Sequence, residues 1–272
     1  MTATSRAIPP VGRGAEAANA GVDQNVIKPY LDAHPAPLLF VTVSGAHLYG
    51  FASADSDYDL RGCHVTPVRR LVGLSPPDET HQVMDKAAPI EVDLVTHDVR
   101  KFFSLLLKNN GYVLEQVCSP LIVHRTPEFE ELRSLADRCV TKNHKHHFLR
   151  FSMNQWEMVV KGGRPTVKGL LYTYRVLLSG IRLMRTGRVE SNLRTLNEDF
   201  RLAYIDDLIA RKTAGMEKDV LSGEDLALHE REFTRLCDEL ESARAASSLP
   251  EAPDCRAELD DLLVRIRMKH LQ

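Results

Sequence analysis

Asp57 and Asp59 stand two residues apart in the stretch Asp57-Tyr58-Asp59-Leu60-Arg61-Gly62. Side chains two apart on a β-strand share one face, so a strand here projects both carboxylates together. Carboxylates a few ångströms apart repel strongly unless a cation sits between them. Mg²⁺ prefers oxygen ligands and takes one or two carboxylates together with substrate phosphates. Asp93, flanked by Val92 and Leu94, is the natural third carboxylate, and Glu91 on the same strand face is the runner-up. Three such acids would form a two-metal cradle. One ion lowers the pKa of an attacking hydroxyl, and the other stabilises charge on a leaving pyrophosphate. Upstream lies Ser44-Gly45-Ala46-His47. A turn at Gly45 would present backbone N–H groups to a triphosphate, and glycine permits the close approach. Arg61 follows the acids on the same strand face and is placed to brace them, while His47 and Tyr49 in the Gly loop are candidates to contact nucleotide.

The elements that must hold these residues are visible in the pattern. Leu38–Val43 is a compact β-prone run ended by Ser44-Gly45, residues 57–65 alternate as a second strand, and residues 90–95 as a third. A loop joins the first strand to Ser56. Asn25–His34 reads as a short helix before Pro35, and Asp98 as the N-cap of a helix carrying Val99, Phe102, Phe103, Leu106 and Leu107. Residues 112–117 suggest another helix, and 121–123 a short strand. Beyond Pro127 the periodicity is helical: 128–138, 144–161, 167–185, 203–212, 224–245 and 257–271. The expected class is α+β. A flexible tail (1–24) precedes a domain with a small mixed sheet (25–138), and a helical C-terminal domain follows (139–272).

The string VSGAHLYGFASADSDYDLRG, followed by IEVDLVTHDVRKF, resembles the DNA polymerase beta-like nucleotidyltransferase superfamily. KFFSLLLKNNGYVLEQVCSP and LLYTYRVLLSGIRLMRTG resemble its bacterial branch of RNA-ligase-associated members, and the likeness spans roughly residues 38–190. The resemblance implies a small mixed sheet backed by helices and a helical C-terminal domain. It implies Asp57 and Asp59 as ligands of two Mg²⁺ ions (Mn²⁺ being the alternative metal), and Asp93 as the carboxylate that helps activate the attacking hydroxyl. It implies that Ser44 and Gly45 hold the triphosphate. One departure stands out: the family usually has Gly-Ser at the turn, where this chain has Gly45-Ala46. The expected reaction moves a nucleoside monophosphate from a nucleoside triphosphate to an acceptor hydroxyl, with an RNA or tRNA end as the implied acceptor. The same transfer onto a protein or small molecule, and a non-catalytic nucleotide-binding regulatory module, are the alternatives.

Lys168, Tyr172, Arg175, Arg182 and Arg185 recur at helical steps, with Leu171, Tyr174, Leu178 and Ile181 as the apolar side. Lys168 and Arg175 are candidates to neutralise triphosphate and Tyr172 to stack on a base. Arg182 and Arg185 read as a solvated face that could extend a local basic groove for RNA. His144 and His147 share a helix face, but no third ligand of matching spacing accompanies them. With 35 Lys and Arg against 37 Asp and Glu, the chain carries a formal charge of −2, which disfavours a generally basic nucleic-acid-coating protein. Five scattered cysteines without a Cys-x-x-Cys pair suggest neither a disulfide framework nor a cysteine zinc site. The longest apolar run falls far short of the about 20 residues a membrane helix needs, and Arg6 and Arg13 enclose no secretory signal core. The expected compartment is the cytoplasm.

Overall fold

The computed structural model describes residues 22–54, 56–88, 90–161, 166–215 and 223–272. The expected tail lies outside these residues up to position 21. The described residues divide into two compact units, the first built from 22–48, 56–139 and 253–272, the second from 49–54 and the described parts of 140–252.

The first unit holds the sheet. Its strands are β1 (Leu38–Val43), β2 (Tyr58–His64), β3 (Thr80–Asp85), β4 (Val92–Asp98) and β5 (Ile122–Arg125), in the spatial order β3-β4-β2-β1-β5. β2 and β4 run parallel; the other neighbours are antiparallel. Every residue of β1 is buried, as a central apolar strand requires. β2 alternates, with Asp59, Arg61 and Cys63 on one face and Tyr58, Leu60, Gly62 and His64 on the other. Asp57 falls one residue before β2, so the strand expected over 57–65 is shorter at both ends. β4 begins at Val92 and runs on to Asp98, past the expected end at 95. β3 had no counterpart in the sequence reading.

Helix α1 (Gln24–Asp32) is capped by Asp23, whose side chain accepts from the Asn25 N–H at 2.9 Å. The expected open loop after β1 contains a short helix, α2 (Gly45–Tyr49), and a second short helix, α3 (Val68–Leu71), follows β2. Asp98 caps α4 (Val99–Leu107) as its sequence predicts, with Oδ1 accepting from the Arg100 N–H at 3.0 Å. Asn110 caps α5 (Gly111–Cys118), and α6 (Pro127–Cys139) follows β5. Phe40 of β1 meets Phe102 of α4 edge-on, centroids 5.4 Å apart, and Phe129 of α6 at 4.7 Å. These fully buried rings, with Leu106, Leu114 and Leu132, make the core against which the sheet is held.

The second unit is helical: α7 (His144–Lys161), α8 (Val167–Thr186), α9 (Leu193–Phe200), α10 (Ala203–Thr213) and α11 (Gly223–Ala246). Leu171, Tyr174, Leu178 and Ile181 of α8 are fully buried, the apolar side the spacing predicts. The last helix, α12 (Arg256–Lys269), contacts α6 and α4 of the first unit through an element whose Leu259, Leu262 and Ile266 are buried. A single helical region running from 139 to 272 is therefore not what forms, because this apolar face is spent on the α/β unit. The protein is α+β, a five-stranded mixed sheet with helices and a helical second unit. No described helix is long and apolar enough to cross a membrane.

Candidate active site

The parallel register of β2 and β4 pairs Asp59 directly with Asp93. Both side chains are mostly buried, 22% and 16% exposed, where repulsion between carboxylates is poorly screened. Arg61 resolves the conflict. Its NH2 donates to Asp59 Oδ1 at 2.8 Å and to Asp93 Oδ2 at 2.7 Å, and its NH1 to the Asp93 carbonyl at 2.6 Å and the Leu60 carbonyl at 2.9 Å. Its Nε reaches the Tyr112 hydroxyl of α5 at 3.4 Å. Burial works against the guanidinium's charge, but Tyr112, Asp59 and Asp93 more than offset it and raise its pKa above the ordinary value. Gln82 of β3 donates to Asp93 Oδ1 at 3.3 Å. Glu91, the alternative third acid, lies one residue before β4 and pairs with Lys86 at 3.8 Å, while its carbonyl accepts the Tyr58 N–H at 2.9 Å. Asp57 is half-buried immediately before β2.

Gly45 explains why a glycine ends β1. Its φ is +61°, a conformation side-chain-bearing residues adopt only under strain, and an added Cβ would lie 2.0 Å from Asp59 Oδ2. The glycine thus leaves room for the carboxylate. Ser44 is buried, and its backbone N–H is committed to the Asp59 carbonyl at 2.7 Å. Ala46, the departure from Gly-Ser, is buried. The His47 ring stacks on Tyr58, centroids 4.9 Å and planes 22° apart, and among the described residues its Nε2 is shielded from solvent without a hydrogen-bond partner.

Tyr49, Lys168, Tyr172 and Arg175 belong to the second unit. Arg175 is buried, with its guanidinium carbon 4.0 Å from the centroid of the Tyr49 ring. Tyr172 meets Tyr49 edge-on at 5.7 Å and Phe51 at 5.6 Å. The exposed basic stripe expected along α8 is thus divided. Arg175 turns inward onto an aromatic ring, Lys168 is exposed, and Arg182 and Arg185 form ion pairs with Asp199 and Glu239. The segment after α2 is held by Arg194 Nε donating to the Gly50 carbonyl and by Lys212 Nζ donating to Ser53 Oγ, each at 2.8 Å.

The remaining histidine candidates are structural. His144 is fully buried, and burial pushes its pKa down to about 4; His147 is lowered to about 4 by burial and by Arg175. Among the described residues no three His, Cys, Asp or Glu side chains converge as a formed metal cage. At the acid cluster the donor chemistry nevertheless suits Mg²⁺. Asp59 and Asp93 set against one guanidinium leave one surplus negative charge on hard oxygen donors, while Asp57 lies just outside β2. Holding a metal there requires Arg61 to share or yield Asp59 Oδ1 and Asp93 Oδ2.

Gln82, Tyr112 and Lys212 were missed by the sequence reading. Gln82 sits on the unrecognised β3, and the other two contacts arise between elements distant along the chain.

The first unit is thus a small mixed sheet that carries paired acids beside a glycine turn. The chain belongs to the RNA repair pathway DNA polymerase beta family, which it matches over residues 22–265. It is 27% identical over 175 residues to the uncharacterized protein MJ0002 of Methanocaldococcus jannaschii, covering 63% of this chain and 70% of that protein. It is 23% identical over 235 residues to the uncharacterized protein YcgL of Bacillus subtilis, covering 84% and 88%. Among solved structures, a nucleotidyltransferase-like protein from Exiguobacterium sibiricum aligns with a TM-score of 0.31 at 14% identity, over 94% of this chain and 81% of that one.

Proposed function

We propose that this protein transfers a nucleoside monophosphate from a nucleoside triphosphate to the hydroxyl of an RNA end, releasing pyrophosphate. The observation that carries the reading is the register of Asp59 against Asp93, with Asp59 Oδ2 fitted into the space that Gly45 leaves open. Membership of an RNA repair pathway family supports RNA as the acceptor. Asp57, Asp59 and Asp93 are the residues that would hold Mg²⁺ or Mn²⁺, which when bound would lower the pKa of the attacking hydroxyl and balance charge on the leaving pyrophosphate. Asp93 is assigned to draw the proton from the acceptor hydroxyl. The first backbone N–H groups of α2 and the Ser44 hydroxyl are assigned to the phosphates, and His47 to the nucleotide, where a bound group would satisfy its shielded Nε2. Tyr49, Lys168, Tyr172 and Arg175 are the further residues we propose for nucleotide recognition. Arg61 keeps Asp59 and Asp93 side by side.

One observation favours a second reading. Arg61 already engages an oxygen of each acid, and Ala46 offers no hydroxyl to phosphate, as a nucleotide-binding module without turnover would tolerate. Calorimetric titration of each nucleoside triphosphate, with Mg²⁺ and with excess chelator, tests the shared premise. Binding that needs Mg²⁺ and is lost in Asp57→Asn is expected; equal binding with and without metal would sink the assignment of the acids.

A further inference from the structure

Cys139 is the last residue of α6 and Cys255 is the N-cap of α12. They lie 116 positions apart in the chain, yet both are fully buried with their sulfurs 3.3 Å apart. The contact is held from both sides. Cys255 Sγ–H donates to the Leu135 carbonyl at 3.6 Å, and Arg138, next to Cys139, donates to Asp254 Oδ1 at 2.8 Å, to the Asp254 carbonyl at 2.9 Å and to Glu258 Oε1 at 2.8 Å. The chain leaves the first unit immediately after Cys139 and returns two residues before Cys255. We propose that Cys139 and Cys255 are a peroxide-sensitive thiol pair, closing to a disulfide that ties together the two points where the chain leaves and rejoins the α/β unit.

The chemistry needs a movement of about 1.3 Å, since a disulfide bond is about 2.05 Å long. Cys255 is the attacking sulfur. It stands at the N-terminus of a 14-residue helix and beside the Arg138 charge, both of which favour a thiolate. The hydrogen bond from Cys139 is the main influence that lowers its pKa and outweighs burial and Asp254, which raise it, whereas burial carries those of Cys63, Cys118 and Cys237 upward, the last two to about 12 and about 11. The co-reactant is hydrogen peroxide. The Cys255 thiolate attacks one peroxide oxygen: an S–O bond forms, the O–O bond breaks, and hydroxide leaves and is protonated to water. Cys139 then gives up its proton and attacks the sulfenic sulfur: the S–S bond forms, the S–O bond breaks, and a second water leaves. Two thiols are oxidised and one peroxide is reduced to two waters.

The test uses the full-length folded protein, titrated with hydrogen peroxide, alkylated, and mapped by non-reducing peptide mass spectrometry. We expect the thiol count to fall from five to three, one Cys139–Cys255 linked peptide, and Cys63, Cys118 and Cys237 alkylated. Cys255→Ser should abolish the bridge, whereas Cys118→Ser should retain it. Reduction should restore all five thiols. A bridge between other cysteines, oxidation of Cys255 that stops without a bridge, or a bridge formed only in denaturant would overturn the proposal. If Cys255→Ser fails to fold, the wild-type linked peptide still decides the matter.

Discussion

Gly45→Ala is the most informative single change to the acid cluster. The added Cβ would lie 2.0 Å from Asp59 Oδ2, 2.9 Å from its Cγ and 3.1 Å from its Cβ. Ordinary contact begins near 3.4 Å, so the oxygen must retreat by about 3.4 − 2.0 = 1.4 Å. Asp59 has little freedom to absorb this, because its other oxygen is held by Arg61 at 2.8 Å. A misplacement of about 1 Å at a reacting centre costs about a hundredfold in rate. The backbone adds its own penalty, since a φ of +61° costs alanine about 1–2 kcal/mol, which lowers Tm by about 2–8 °C. The assay is single-turnover nucleotidyl transfer beside a circular-dichroism melt. Gly215→Ala is the control for strain alone, because that glycine also has positive φ (+84°) and its added Cβ would meet nothing within 4 Å. The expected result is a fall in transfer of at least a hundredfold for Gly45→Ala, with a folded protein and a far smaller effect from Gly215→Ala. Transfer by Gly45→Ala within threefold of wild type would refute the claim that this glycine exists to seat the Asp59 carboxylate.

Arg61→Met should leave two carboxylates facing each other, a repulsion of about 3 kcal/mol at about 5 Å and an effective dielectric of about 20. The variant should melt at a lower temperature than wild type; an unchanged melt would show that Arg61 does not relieve that repulsion. Stability should fall on acidification. His64 and His144 are buried neutral with pKa lowered to about 4, against about 6.5 in an unfolded chain. The unfolded state therefore binds more protons in between, so their contribution is complete above pH 6.5 and drains away as pH falls towards 4. For fully buried His144 the loss by pH 5 is about 2 kcal/mol, and His144→Asn should flatten the slope of Tm against pH between 7.5 and 5. An unchanged slope would mean that the ring is already charged in the fold.

Particular residues show what the linear chain reveals. Leu38–Val43, and the hydrophobic–acid–hydrophobic alternation at Asp59 and Asp93, announce their strands because one face must be buried and the other not. Asp98 announces α4 because an aspartate cap before periodic apolar residues has few other uses. β3 stays hidden because it is an edge strand, paired only with β4: of its residues Thr80, His81, Gln82, Val83, Met84 and Asp85 none is buried, and Met84 is half exposed. α2 has five residues and starts on a glycine, too short for helical periodicity to register. α12 was legible as a helix, but an amphipathic face does not say which partner it covers. At the site, a bracing role for Arg61 was legible from strand alternation, whereas the register that sets Asp59 against Asp93 was not, and Asp57 falls just outside β2. That Arg175 turns inward onto Tyr49 was not, because the contact depends on tertiary placement and helical spacing gives only a side.

The central claim is tested most directly by following labelled nucleotide into RNA. The protein is incubated with each α-³²P nucleoside triphosphate, Mg²⁺ and total cellular RNA, beside a variant carrying Asp57→Asn and Asp59→Asn. The account predicts label in an RNA band with wild type, dependent on the metal, and none with the folded variant. Equal labelling by the variant would contradict the role of the acids. Label on protein, or none anywhere despite Mg²⁺-dependent nucleotide binding, would contradict RNA as the acceptor.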